Sequence, residues 1–125
     1  MPNEKVTGPA RFYYATCYSM KGIRAAFVHE PAFRYEVYGA LVLIPLSFWV
    51  AQTGIQLGLL IASCLLVLMA EMFNSAIEAV VDRAGLEMHE LAGRAKDLGS
   101  AGVFFTLLIV MLIWGGVLWD NLATG

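Results

Sequence analysis

Residues 37–70 read VYGALVLIPLSFWVAQTGIQLGLLIASCLLVLMA, with neither an acid nor a base between Glu36 and Glu71. About 20 apolar residues suffice to cross the hydrocarbon of a bilayer, so a run this long holds parts of two spans. Gln52, Thr53, Gly54 and Gln56 form its one polar cluster, which predicts a short turn there. One span is then expected over about residues 31–51 and a second over about residues 55–83. The 22 residues between Asp97 and Asp120 are also uncharged and predict a third, over about residues 96–119. With 59% hydrophobic residues, 14% charged and a mean hydropathy of +0.69, the chain departs far from soluble composition and reads as an all-α membrane protein. In 125 residues three spans leave no room for a separate soluble module, so a single membrane-embedded domain is expected. A net charge of -2 gives no argument for nucleic acid as a partner.

All eight basic residues fall in two places: five precede residue 35, and Arg83, Arg94 and Lys96 lie between the second and third spans. Positive segments stay inside, which puts the N-terminus and that connection in the cytoplasm and the Gln52 turn and C-terminus outside. Trp49, Trp114 and Trp119 then fall near the outer interface as an aromatic belt. Cys17 and Cys64 have no CxxC or Cys/His spacing and are expected to pack, without a disulfide or zinc site. The first 30 residues carry Lys5, Arg11, Lys21 and Arg24 in place of a cleavable apolar core, so the spans themselves are expected to direct insertion.

Within that first segment Phe12, Thr16, Met20, Ile23 and Phe27 recur at helical spacing and fall within about 80° of one another. Arg11, Tyr14, Tyr18, Lys21 and Arg24 take the other side. Pro9 suits a first helical turn, and Pro31 is expected to end this helix and begin the next. The pattern predicts an amphipathic helix over about residues 9–29, flat on the cytoplasmic leaflet, that delivers Glu30 to the corner where the first span enters.

Residues 71–100, EMFNSAIEAVVDRAGLEMHELAGRAKDLGS, hold six of the ten carboxylates. On a continuous helix Glu71, Asn74, Glu78 and Asp82 share a face about 80° wide. A span starting near residue 55 reaches the cytoplasmic interface at about residues 71–75. Glu71 is therefore expected at the lipid boundary, partly desolvated and suited to general-base work, with Glu78 and Asp82 in or near water. Glu30 and Glu78 form a plausible hard-cation pair, since Mg²⁺ takes one or two protein carboxylates plus phosphate oxygens. Arg94 and Lys96 are candidates to bind phosphate, while Asp82 reads as a helix-end or salt-bridge charge. Gly85 is expected to end the second span and Gly93 to break the connection. Gly99, Ala101 and Gly102 suggest close helix packing. With neither GxxxxGK[ST] nor GxGxxG present, any nucleotide must be held without a P-loop or Rossmann turn.

The runs EMFNSAIEAVVDR (71–83) and HELAGRAKDLGSA (89–101), with YSMKGIRAA (18–26) and EPAFRYE (30–36) upstream, resemble the bacterial diacylglycerol kinase family. The resemblance implies a homotrimeric inner-membrane enzyme that moves the γ-phosphoryl of MgATP to diacylglycerol, with composite sites between subunits. It implies that Glu71 is the catalytic base, that Glu30 and Glu78 bind Mg²⁺, and that Arg11, Tyr18, Glu87, His89, Lys96 and Asp97 surround the nucleotide with them. It puts Asn74 and Ser100 near the reacting groups or lipid, and Ser19, Arg24, Phe27, Arg34 and Glu36, with Arg11 and Glu71, in contact with the lipid. Departures from the family pattern are His29 in place of a small amide, Met88 where an aromatic is common, and Tyr14 where a basic residue can occur. An undecaprenol kinase of the same family is the alternative reading. From another class, a small ion-coupled transporter with a site at Glu71 and Asn74 fits less well, because the acidic stripe runs away from the bilayer centre.

Overall fold

The computed structural model describes residues 7–83 and 90–124, in four helices and the short links between them. Helix α1, Pro9–His29, begins with Pro9 in its first turn, behind Gly8 at φ 72° and ψ -154°, backbone angles that only glycine adopts without strain. It ends because Pro31 disfavours helical angles at the preceding residue. Glu30 is accordingly extended, at φ -116° and ψ 102°, and Pro31 opens helix α2, Pro31–Val50. Pro45 lies inside α2; such prolines are tolerated in spanning helices because neighbouring groups satisfy the freed backbone. After the turn at residues 51–53, helix α3 runs Gly54–Arg83 and helix α4 Glu90–Thr124. Helices α2, α3 and α4 are each long and apolar enough to cross a membrane.

The bounds of α1, α2 and α3 lie within a residue of the surface helix and the first two apolar helices expected, and the fourth helix differs. It starts at Glu90 instead of near residue 96, passes through Gly93 without a break, and continues to Thr124. An interior glycine costs only about 1 kcal/mol relative to alanine. Against that, Glu90 complements the helix dipole in the first turn and pairs with Arg94, one turn on, at 3.7 Å. The proposed stop at Gly85 lies outside the described residues, as do Glu87 and His89.

Helix α3 packs against both α2 and α4, and its contact with α4 is the longest in the fold. The two run antiparallel in one register, marked by Gln56 with Asn121, Ser63 with Trp114, and Asp82 with Lys96. Ala40, Leu60, Cys64, Trp114 and Val117 form the buried core. Trp114 thus leaves the expected aromatic belt: its ring is inside, and Nε1–H donates to Ser63 Oγ at 3.3 Å. In an apolar surround an unpaired indole N–H is costly, so the ring follows its partner inward. Trp49 and Trp119 do stay exposed. Cys64 is buried and Cys17 half-buried.

Candidate functional site

Glu71 is the only carboxylate among the described residues that is buried, with 6% of its surface exposed. Its position follows from helical geometry: Val67, one turn earlier on α3, is in the packed interior, so Glu71 lies on the same inward row. Neither ion pair among the described residues, Arg94–Glu90 and Lys96–Asp82, involves it. Instead the charges that act on it are acidic: Glu36, Glu78 and Glu30 all lie within electrostatic reach. Burying an ionised carboxylate without a counter-charge costs on the order of several kcal/mol. Such an arrangement marks Glu71 as a candidate for handling protons or cations.

The acids arrive from two directions. Glu71, Asn74 and Glu78 descend one face of α3, where Asn74 Nδ2 donates to Glu78 Oε1 at 3.4 Å. Asn74 Oδ1 is buried and is the one buried side-chain polar atom without a partner among the described residues. Glu30, half-buried, comes from the extended corner between α1 and α2, and Glu36 from the second turn of α2. On the far side, Lys96 on α4 pairs with Asp82 at 2.6 Å and lies within electrostatic reach of Glu78. The expected salt-bridge role of Asp82 is therefore what the structure displays, while Arg94 is occupied by Glu90 on its own helix.

Two apolar cavities adjoin this face. One, about 90 Å³, is lined by Glu36, Gly39, Ala40, Leu43, Cys64, Val67, Leu107 and Val110. The other, about 250 Å³, lies between α3 and α4 against Ala70, Phe73, Asn74, Ile77, Leu98, Gly99 and Gly102. Gly99 leaves room for Asn74 Oδ1, which a Cβ built there would meet. The small residue expected from the sequence to pack helices thus also makes room for a polar side chain of the acidic face.

Other expected site residues are not drawn in. Arg11, Tyr18, Ser19, Arg24 and Phe27 are on the exposed surface of α1, of which only Ala26 is buried. The Ser19 hydroxyl donates back to Ala15 O, Phe27 meets Tyr38 edge to face, and Lys21 stands over the Tyr18 ring. Asp97 and Ser100 are exposed on α4. Arg34 is half-buried and engaged with the end of α1. Sequence reading missed Thr106, which is buried on α4 and which the antiparallel register puts level with Glu71. A lone threonine in an apolar run carries no pattern that would have flagged it.

No three His, Cys, Asp or Glu side chains among the described residues are grouped to hold a metal by themselves. The donor set nonetheless fits a hard cation: Glu30 and Glu78 are oxygen donors that both lie within electrostatic reach of Glu71, and Mg²⁺ typically takes one or two carboxylates with phosphate oxygens completing its shell.

Comparison with known proteins identifies the family. A family model described as prokaryotic diacylglycerol kinase matches residues 17–118. A diacylglycerol kinase of Haemophilus influenzae is 52% identical over 114 residues, covering 91% of this chain and 97% of the relative. That of Escherichia coli (strain K12) is 46% identical over 115 residues, covering 92% and 94%. That of Pseudomonas aeruginosa is 45% identical over 117 residues, covering 94% and 95%. A match across most of the sequence, together with three membrane-length helices around a buried acid, makes this chain a member of the prokaryotic diacylglycerol kinase family.

Proposed function

We propose that this protein is an ATP-dependent diacylglycerol kinase, which transfers the γ-phosphoryl group of ATP to the hydroxyl of 1,2-diacylglycerol and releases phosphatidate and ADP. The observation that carries the reading is a buried Glu71 on the same α3 face as Asn74 and Glu78. Helix α3 has 30 residues and rises about 45 Å, against a hydrocarbon core of about 30 Å. One face therefore extends from the lipid boundary into water, where an alcohol anchored in the bilayer and a dissolved nucleotide can meet.

In this mechanism Glu71 accepts the proton of the lipid hydroxyl as its oxygen attacks the γ-phosphorus. The bond from that phosphorus to the β,γ-bridging oxygen breaks in line, and the electron pair leaves with ADP. Glu30 and Glu78 would hold Mg²⁺, which would supply neutralisation of the phosphate charge. Lys96 exchanges Asp82 for a phosphate oxygen, a swap of one anionic partner for another across 2.6 Å. Asn74 donates from Nδ2 to Glu78 and so orients that carboxylate. The apolar cavities beside Glu36 and Asn74 suit acyl chains. Arg11, Tyr18, Glu87, His89 and Asp97 complete the nucleotide side, and Ser19, Arg24, Phe27 and Ser100 the lipid side.

The site is completed by self-association. A homotrimer brings the exposed α1 of one copy over the acidic face of another, which explains why so many expected ligands lie open in a single chain. Helix α1 rests on the cytoplasmic leaflet of the inner membrane, its Phe12, Met20 and Ile23 toward lipid, with the C-terminus periplasmic. The decisive experiment is transfer of labelled phosphate from ATP to diacylglycerol by purified protein in mixed micelles with Mg²⁺. Label in phosphatidate is the expected result; label only in a polyprenol, from a parallel panel, would overturn the choice of lipid. Light scattering of the active particle is expected to give three copies, and a fully active monomer would contradict the composite site.

A further inference from the structure

The corner that presents Glu30 is held by one arginine. The last carbonyls of a helix have no donor within it, and here the normal remedy is blocked. Ala26 O is satisfied by the Glu30 N–H at 2.8 Å. The next carbonyl, Phe27 O, would look to residue 31, but Pro31 has no N–H, and the extended Glu30 turns the chain away before Val28 O can find a partner. Arg34 fills both vacancies: its Nη1 donates to Phe27 O at 2.9 Å and to Val28 O at 3.1 Å. Its backbone N–H also donates to Glu30 O at 3.2 Å. Arg34, on α2, therefore ties the end of α1 to the helix that follows Glu30. Little else does so, since α1 touches α2 and α3 sparingly and its one ring contact with α2 is Phe27 against Tyr38.

We infer that Arg34 is a positioning residue for Glu30: by bonding the free carbonyls of α1 it fixes the angle between α1 and α2, and with it the direction in which the Glu30 carboxylate leaves the corner toward Glu71. This rests on the kinase reading for its consequence, though not for its geometry. It differs from the role the family resemblance implies, in which Arg34 contacts lipid. A lipid-contact arginine would govern the affinity for diacylglycerol. One that aims Glu30 governs the requirement for Mg²⁺ and leaves the lipid affinity alone.

The experiment has two readouts on the full-length protein. The first is amide hydrogen exchange without metal or nucleotide. Arg34→Met, which keeps an unbranched apolar stem and loses every side-chain donor, is expected to speed exchange over residues 24–30 by roughly tenfold while residues 56–70 keep their rate. The second is kinetic: Arg34→Met raises the Mg²⁺ concentration for half-maximal activity by about tenfold with KM for diacylglycerol unchanged. Arg34→Gln reaches at most one carbonyl, gives intermediate values in both assays, and carries the test if Arg34→Met does not accumulate in the membrane. In a Glu30→Gln background Arg34→Met is expected to add no further Mg²⁺ effect. Unchanged exchange at the corner, or a raised KM for diacylglycerol at an unchanged Mg²⁺ requirement, would overturn the inference. Wild-type protein that phosphorylates no diacylglycerol would instead defeat the kinase reading, with the exchange result still deciding the corner.

Discussion

The two ends of the helical bundle treat their polar groups in opposite ways. At the turn end, Asn121 donates from Nδ2 to Val50 O at 2.8 Å and accepts from Gln56 Nε2 at 2.9 Å. The Gln52 N–H donates to Gln56 Oε1, and the Gln56 N–H to Thr53 Oγ1. Side chains there close the carbonyl end of α2 and join α2, α3 and α4 through one amide. At the acidic end Glu71 is buried among other acids, and Asn74 Oδ1 has no partner. The first end contains what a membrane helix bundle needs to hold together. The second holds a buried carboxylate and an unpartnered amide oxygen, and that contrast is why the proposed chemistry is assigned there.

The comparison breaks most plainly if the acidic end tolerates substitution. Glu71→Gln removes the proton acceptor and is expected to lower kcat by about 10³-fold or more. Because it also removes a buried charge, the thermal midpoint should not fall. Lipid phosphorylation and differential scanning on the same preparation measure both. Glu30→Gln and Glu78→Gln each raise the Mg²⁺ needed for half-maximal activity by about tenfold, read from metal titrations at fixed ATP. Gly99→Ala drives a methyl group into Asn74 Oδ1. The atom it meets ends a side chain that can rotate away, so the denaturant midpoint should move little, while turnover falls as Asn74 shifts from Glu78.

At the turn end the expectation reverses. Asn121→Leu leaves Val50 O and Gln56 without their partner and should cost about 1–3 kcal/mol of stability, yet kcat per folded enzyme stays at the wild-type value. Asp82→Asn is the smallest case. Its pair with Lys96 is largely exposed on both sides, so the unfolding midpoint should not move. Any gain in nucleotide affinity would sharpen the view that Asp82 holds Lys96 for phosphate.

How much of this was legible from residues follows the range of the forces involved. Span existence, the turn near Gln52 and the break at Pro31 are set by local composition and proline chemistry, and each is found where the pattern puts it. The shared face of Glu71, Asn74 and Glu78 follows from helical periodicity alone. The start of α4 did not, because Gly93 is a breaker only in isolation and is outweighed by a long helix packed on α3. Trp114 turned inward for a hydroxyl 51 residues away, and Asn121 serves a carbonyl 71 residues away. No spacing rule encodes those pairs. The resemblance assigns Arg34 to lipid, whereas its hydrogen bonds go to carbonyls freed by a proline three residues earlier.

The account depends most on one face of α3 crossing from lipid into water. Depth-resolved spin labelling of positions 71, 74, 78 and 82, one at a time in a background with Cys17→Ser and Cys64→Ser, measures that in lipid bilayers. Oxygen accessibility is expected to fall, and accessibility to a water-soluble nickel complex to rise, steadily from 71 to 82, with 71 at the lipid boundary. Equal depth at all four positions, or position 71 near the bilayer centre, would contradict it.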